Sequence, residues 1–324
     1  MPTIKDVAKK AGVTPTTVSR VLNNRGYLSE ETKQKVMRAM EELNYKPHAI
    51  ARSLFSRKSG IIGLILPDLR HPFFAEWTSF IEYYAHLNSY KVMVCSSNHD
   101  PVREKEFVDL LKSNQLDALI MGSHTLDVHE FARLDYPIIT FDRVIEGLPY
   151  VCSDNAQGGI LAAESLLNHG CKKVAHICGN LGLNLLSNDR SETFLHTMCE
   201  HGVDPIVLQT RTNVFEYNHY EEMIDPLLRD QPDLDGIFAT SDLLAAYVIR
   251  ACSEMNIHIP DDLKLIGYDD VSLSALLVPQ LTTIHQPISE MAEMAVHLAI
   301  HYNSDNELQQ ANVFPVSLIR RATC

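Results

Sequence analysis

The 324-residue sequence contains no apolar run of membrane-spanning length and no apolar N-terminal stretch of signal-peptide length; Ile61–Leu66 is typical of its longest runs. These absences predict a protein that is neither exported nor membrane-embedded. Cysteines are few, odd in number and never spaced C-x-x-C: Cys95, Cys152, Cys171, Cys178, Cys199, Cys252 and Cys324. They read as buried thiols in a reducing compartment, the cytosol, and not as a disulfide framework. Also missing are a G-x-G-x-x-G turn after a strand, a G-x-x-x-x-G-K-[ST] loop, a G-x-S-x-G elbow and an H-E-x-x-H pair. Catalysis is therefore unsupported. His176 lies near Cys171 and Cys178, but no second ligand pair accompanies it, so no metal, no cofactor and no enzyme activity are expected.

What the sequence does have is a lopsided charge. Residues 1–60 carry twelve Lys and Arg against five Asp and Glu, a net +7, within a chain whose total is −13, so the remainder carries −20. A basic module of minimal domain size joined to an acidic body is the pattern expected when only the module touches a polyanion. The residue pattern inside the module sharpens this. Ile4, Val7, Ala8 and Ala11 share one helix face, and Gly12 breaks the periodicity. Thr14 and Pro15 then form an N-cap and first helical residue, with Val18, Val21 and Leu22 facing inward. Ser29, followed by Glu30 and Glu31, opens a third helix with Val36, Met40 and Leu43 on one face, ending before Pro47. Two helices across a glycine turn, with Thr16, Thr17 and Arg20 outward on the second, form a helix-turn-helix arrangement. Arg20 suits a bidentate bond to guanine, while the threonines suit base edges, thymine methyls or phosphates.

T-I-K-D-V-A-K-K-A-G-V-T-P-T-T-V-S-R-V-L-N at residues 3–23 and E-L-N-Y-K-P-H-A-I-A-R-S-L at residues 42–54 resemble the DNA-binding head of the lactose/galactose repressor family. The resemblance implies DNA contacts at Thr16, Thr17, Arg20, Asn23 and Tyr45. Pro15 stands where several relatives carry a base-contacting side chain, so readout there would be apolar at most. Residues 47–55 are too short to hold a helix alone in water. The family implies that two such hinge helices pair in the minor groove of a pseudo-palindromic operator, where Leu54 would wedge between base pairs. A plain interdomain linker is the alternative for this segment.

From residue 61 onward, apolar β-rich runs alternate with helix-length segments. Strands are predicted at 61–66, 91–95, 118–121, 138–141, 174–177, 236–239 and 263–267. This spacing argues for an α/β body of two doubly wound parallel-sheet subdomains with a cleft at their strand ends. S-D-N-A-Q-G-G at 153–159, L-I-G-Y-D-D at 265–270 and L-T-T-I-H-Q-P at 281–287 extend the resemblance to the C-terminus. They imply a sensor of the periplasmic-binding-protein type with three crossovers. The expected domains are a head at 1–46, a hinge and linker at 47–60, and an effector and dimerisation domain at 61–324. Within the last, an N-subdomain covers about 61–160 plus 288–315, and a C-subdomain about 161–287 plus the C-terminal tail. The sequence ends at Cys324 without the leucine-heptad tail of tetrameric relatives, so a homodimer is expected.

Polar residues at strand ends suit a polyol: Asp142, Ser241, Asp269 and Gln286, with Asp242 read as a helix N-cap. By resemblance, Arg190 in R-S-E-T-F matches the family's effector-binding arginine, although Thr193 replaces a glycine, and Phe73 and Phe215 match ring-stacking positions. R-G-Y-L-S-E at 25–30, F-D-R at 141–143 and C-S-D-N at 152–155 resemble sucrose operon repressors most. The expected function is a cytoplasmic repressor controlled by a small sugar, namely sucrose, its phosphate or a fructose-type ligand. Control by a phosphorylated partner protein or a nucleobase is the alternative. A solute-binding transport protein would share the body fold, but it requires export and has no use for a basic head.

Overall fold

The computed structural model describes residues 2–22, 26–45, 58–98, 100–123, 136–210, 217–302 and 309–324. Asn23, Leu54 and Phe215, and the hinge expected at 47–55, lie outside the described residues. The chain divides into two units, Met1–Gly60 and Ile61–Cys324.

In the first unit, Thr3 opens helix α1 (Ile4–Ala11) through a reciprocal box. Its hydroxyl accepts the Asp6 N–H at 3.4 Å, and the Asp6 carboxylate accepts the Thr3 N–H at 2.7 Å. Gly12 ends the helix in the left-handed region, at φ 68°, where a side chain would be strained. Helix α2 (Pro15–Leu22) starts two residues later, with the Thr14 hydroxyl accepting the Thr17 N–H at 3.2 Å. Helix α3 (Glu30–Glu42) starts where the Ser29 hydroxyl accepts the Thr32 N–H at 3.3 Å. Val7, Ala8, Val18, Val36 and Ala39 form the shared core, and Met40, Leu43 and Tyr45 pack against it.

The second unit contains two six-stranded sheets. The first runs in the order β11-β5-β4-β3-β1-β2, with β1 (Ile61–Leu66), β2 (Lys91–Ser96), β3 (Ala118–Met121), β4 (Ile138–Phe141), β5 (Tyr150–Ser153) and β11 (Ala311–Phe314). The second runs β12-β10-β9-β8-β6-β7, with β6 (Val174–Cys178), β7 (Ile206–Gln209), β8 (Gly236–Ala239), β9 (Lys264–Asp269), β10 (Thr282–His285) and β12 (Ser317–Ile319). Every pairing is parallel except β10 with β12. The chain passes between the sheets three times: after β5, after β10 and after β11. Five strands, β5, β7, β10, β11 and β12, were not among the sequence expectations. None exceeds four residues, and three of them (β7, β11 and β12) lie at sheet edges, where an apolar run on both faces is not needed.

Helices α4 (Pro72–Leu87) and α5 (Pro101–Lys112) cover the first sheet with α10 (Ile288–His301), which returns to it from the second. Trp77 and Ile81 of α4 and Met291 and Val296 of α10 are buried with Ile62, Leu64, Ile120 and Ile139 of the sheet. The second sheet is covered by α6 (Asn155–Asn168), α7 (Asn188–Glu200), α8 (Tyr217–Asp230) and α9 (Asp242–Glu254). Helices α6 and α7 pack tightly at Gly159, where a Cβ would collide with the Arg190 carbonyl oxygen and the Thr193 hydroxyl. That contact explains how Thr193 is accommodated on α7: the small residue sits on the facing helix. No helix among the described residues is long and apolar enough to cross a membrane.

Candidate functional site

Two regions gather the expected site residues. On α2, Thr16 and Arg20 are exposed and lie four residues apart, hence on one face. Thr17 is half-buried, and its hydroxyl lies 2.9 Å from that of Thr14, so it also supports the start of the helix. Tyr45 packs half-buried against the three-helix core, which limits what its ring presents outward.

In the body, the expected groups meet where strands of both sheets end. Asp142 follows β4 at φ 57°, Asp269 closes β9 at φ 114°, and both are buried. Aspartate tolerates positive φ better than most residues, and the turn at each strand end carries the carboxylate. Asp142 joins the lobes: its carbonyl accepts the Leu186 N–H at 3.1 Å and its carboxylate accepts the Ser187 N–H at 3.2 Å, both just ahead of α7. Asn155, the first residue of α6, donates to the same carboxylate at 3.3 Å.

Arg190 on α7 lies buried over the Tyr268 ring, 3.7 Å from its centroid. Its Nε and Nη2 donate to Asn155 Oδ1 at 2.9 and 2.5 Å, and Nη1 donates to the Thr240 carbonyl at 3.2 Å. Gln286 Nε2 donates to Asp269 Oδ1 at 2.7 Å. Burial pushes the Asp142 carboxyl above its ordinary range, against the opposing pull of Arg190. Burial likewise pushes Asp269 up to about 7, again opposed by Arg190 and by the Gln286 hydrogen bond. Phe73 is buried in the first lobe with Phe74 and Phe141, at ring separations of 5.4 and 5.6 Å.

The helix cap falls one residue earlier than the sequence reading put it. Ser241 is extended, at φ −153°, and its hydroxyl accepts the Leu244 N–H at 3.2 Å, so it caps α9. Asp242 is already helical and fully buried, accepting from the Val271 N–H at 2.9 Å and the Thr283 hydroxyl at 2.5 Å. Its role is to brace the strand ends. Two residues joined to this region, Asn155 and Tyr268, were not singled out. Asn155 sits inside the quoted S-D-N-A run, and a polar first helical residue after a strand was the available signal. Tyr268 fell just past the strand expected at 263–267. Ser123, just past β3, is buried, and among the described residues its hydroxyl has no hydrogen-bond partner. His176 is buried between Phe194 and Phe238, at 5.0 and 5.1 Å. Among the described residues no group of three or more His, Cys, Asp or Glu is placed to hold a metal.

Residues 3–48 match the family described as bacterial regulatory proteins, lacI family, and residues 163–324 match a periplasmic binding protein-like domain. The chain is 38% identical to a ribose operon repressor of Halalkalibacterium halodurans, over 100% of this chain and 97% of the relative. It is 37% identical to a sucrose operon repressor of Pediococcus pentosaceus, over 99% of each. Among solved structures, the Lac repressor dimer bound to operator and an anti-inducer superposes with a TM-score of 0.87 at 25% identity, covering 99% of this chain and 98% of that one. A helix-turn-helix head joined to a two-sheet sensor body, matched over its whole length by such relatives, belongs to the lacI family of bacterial regulatory proteins, and its members are DNA-binding transcriptional repressors, not enzymes.

Proposed function

We propose that this chain represses a sugar-utilisation operon in the cytoplasm, binding a pseudo-palindromic operator as a homodimer and responding to a small sugar in the cleft between its lobes. The observation that carries this reading is the strand-end cluster of Asp142, Asn155, Arg190, Tyr268, Asp269 and Gln286. It offers carboxylate acceptors, an arginine and an aromatic ring, the set that takes vicinal hydroxyls and a sugar's apolar face. The relatives named for ribose and sucrose operons support a sugar over a nucleobase. Between those sugars we favour sucrose or a fructose-containing ligand.

A dimer is supported by an exposed apolar surface on the first lobe. Phe80, Tyr83 and Leu87 of α4 recur at helical spacing, and Met93 and Val94 stand on the edge strand β2. Leu276 and Val278 add apolar surface on the second lobe, at 76% and 88% exposure.

Selection from a randomised duplex library tests the DNA half of the proposal. A pseudo-palindrome bound by two chains is the expected product, and tight 1:1 binding to a single half-site would overturn the dimer. On the selected site, Arg20→Ala is expected to cost about 1–3 kcal/mol at one base pair of each half-site. Equal weakening on every sequence would make Arg20 a phosphate contact only.

A further inference from the structure

We propose that the cleft takes an uncharged polyol and rejects phosphate esters. This rests on the cleft being the effector site. The argument is one of charge and of which donors remain. Asp142 and Asp269 present buried carboxylates from opposite lobes, and Asp242 lies behind Asp269. Glu76 of α4 reaches across the lobes to accept the Ser272 N–H at 2.7 Å, and its charge also acts on Asp269. One guanidinium, that of Arg190, acts on both Asp142 and Asp269.

Arg190 is not free to grip a phosphate side-on. Three of its five N–H groups are bonded within the protein, two to Asn155 Oδ1 and one to the Thr240 carbonyl. The Nε–Nη2 edge that makes a bidentate phosphate contact is therefore occupied. One N–H remains on each terminal nitrogen, which suits two neighbouring hydroxyls. A sugar hydroxyl can accept from one of these and donate to Asp142 or Asp269; a phosphate, mostly a dianion above pH 7, is chiefly an acceptor and adds negative charge to a cleft that already holds several acids.

The usual substitute for a basic side chain, a helix N-terminus, is offset here by nearby acids. Three helices of the second lobe begin beside these strand ends, and each carries its own aspartate. Asp154 caps α6, accepting the Gln157 N–H at 3.0 Å, Asp189 lies in the first turn of α7, and Asp242 opens α9. Arg70, next to the end of β1, is matched by Asp68, to which its Nε and Nη2 donate at 2.6–3.1 Å.

The test is titration calorimetry on the full chain with matched pairs: ribose and ribose 5-phosphate, fructose and fructose 6-phosphate, sucrose and sucrose 6-phosphate, with inorganic phosphate alone as a control. The neutral member of the binding pair is expected to bind at least tenfold more tightly than its ester, and inorganic phosphate not at all. With the titrations run at pH 8, above the value of about 7 to which burial pushes Asp269, Asp269→Asn and Asp142→Asn should each narrow that gap, because each removes an ionisable acid while keeping the side chain's size. An ester that binds as tightly as its parent sugar, or a gap unchanged in both variants, overturns the proposal and leaves the sugar reading standing. Binding by neither member of any pair overturns the sugar reading itself, and this proposal with it.

Discussion

Arg190→Ala and Asp269→Ala proteins are expected to bind operator about as well as the wild type and to lose the response to sugar. Both residues lie in the sensor unit, and neither belongs to the three-helix core that carries α2. A ligand shifts a two-state equilibrium only by its differential affinity for the two states. Here the lobes are already tied by Asp142, through Leu186 and Ser187, and by Glu76, through Ser272. A sugar bridging Asp142 on one lobe and Arg190 and Asp269 on the other would strengthen the closed arrangement and disfavour the operator-bound one. For wild type the operator affinity should fall with saturating sugar by about 5–150-fold, the range of a 1–3 kcal/mol coupling. Without either charged contact the titrations with and without sugar should superimpose. A melt of each variant controls for folding, because removing Arg190 takes away the two shortest of the hydrogen bonds to Asn155 Oδ1 and leaves the Ser153 and Tyr268 hydroxyls at 3.4 Å. Variants that respond like wild type would remove these residues from the site.

The second large effect is on salt. Operator affinity should fall steeply between 50 and 200 mM salt, with log K against log salt sloping at about −0.9 for each phosphate neutralised. The head indicates which cations do this. Lys10, Lys33 and Lys35 are held in exposed pairs with Glu42, Glu30 and Glu31. Lys5, Lys9, Arg20 and Arg38 form no ion pair among the described residues. With Arg20 reserved for the base edge, Lys5, Lys9 and Arg38 doubled in a dimer would supply about six phosphate contacts, for which a loss of about 10³ in affinity is expected over that interval. The acidic body contributes no compensating attraction. A slope near zero in a filter-binding or anisotropy series would contradict the assignment of the head as the polyanion-binding unit.

Much of this architecture was legible because it rests on patterns one element long. Gly12, Thr14, Pro15 and Ser29 state where helices stop and start through their own backbone chemistry, and the buried runs at 61–66 and 236–239 are apolar on both faces because parallel strands are covered on both sides. The strand Thr282–His285 was not read as one because its polar side chains find partners elsewhere: Thr282 donates to the Cys324 carbonyl and Thr283 to Asp242. Those contacts span about forty residues, beyond any local pattern. The site was legible by residue type but not by partnership. Asp142 and Asp269 are polar residues at strand ends and Arg190 stands in a recognisable R-S-E-T-F run, whereas the Asn155 side chain that links Asp142 to Arg190 lies 13 residues from one and 35 from the other. Ser241 takes the cap expected of Asp242 for a similar reason, since only the backbone angle tells which of two adjacent capping residues precedes the helix.

The distribution of thiols gives the protein a chemical handle. Burial pushes Cys152, Cys171, Cys178 and Cys252 up to about 12, so near neutral pH only about one in 10⁵ of each is the reactive thiolate. Cys95 and Cys324 are half-buried and are raised by burial as well. Cys199 is exposed near the end of α7, the helix whose first turn carries Arg190. A maleimide dye should therefore attach at Cys199 first, which tryptic mass mapping would verify. The unmutated chain then carries its own fluorescent reporter on the helix that would move with the effector.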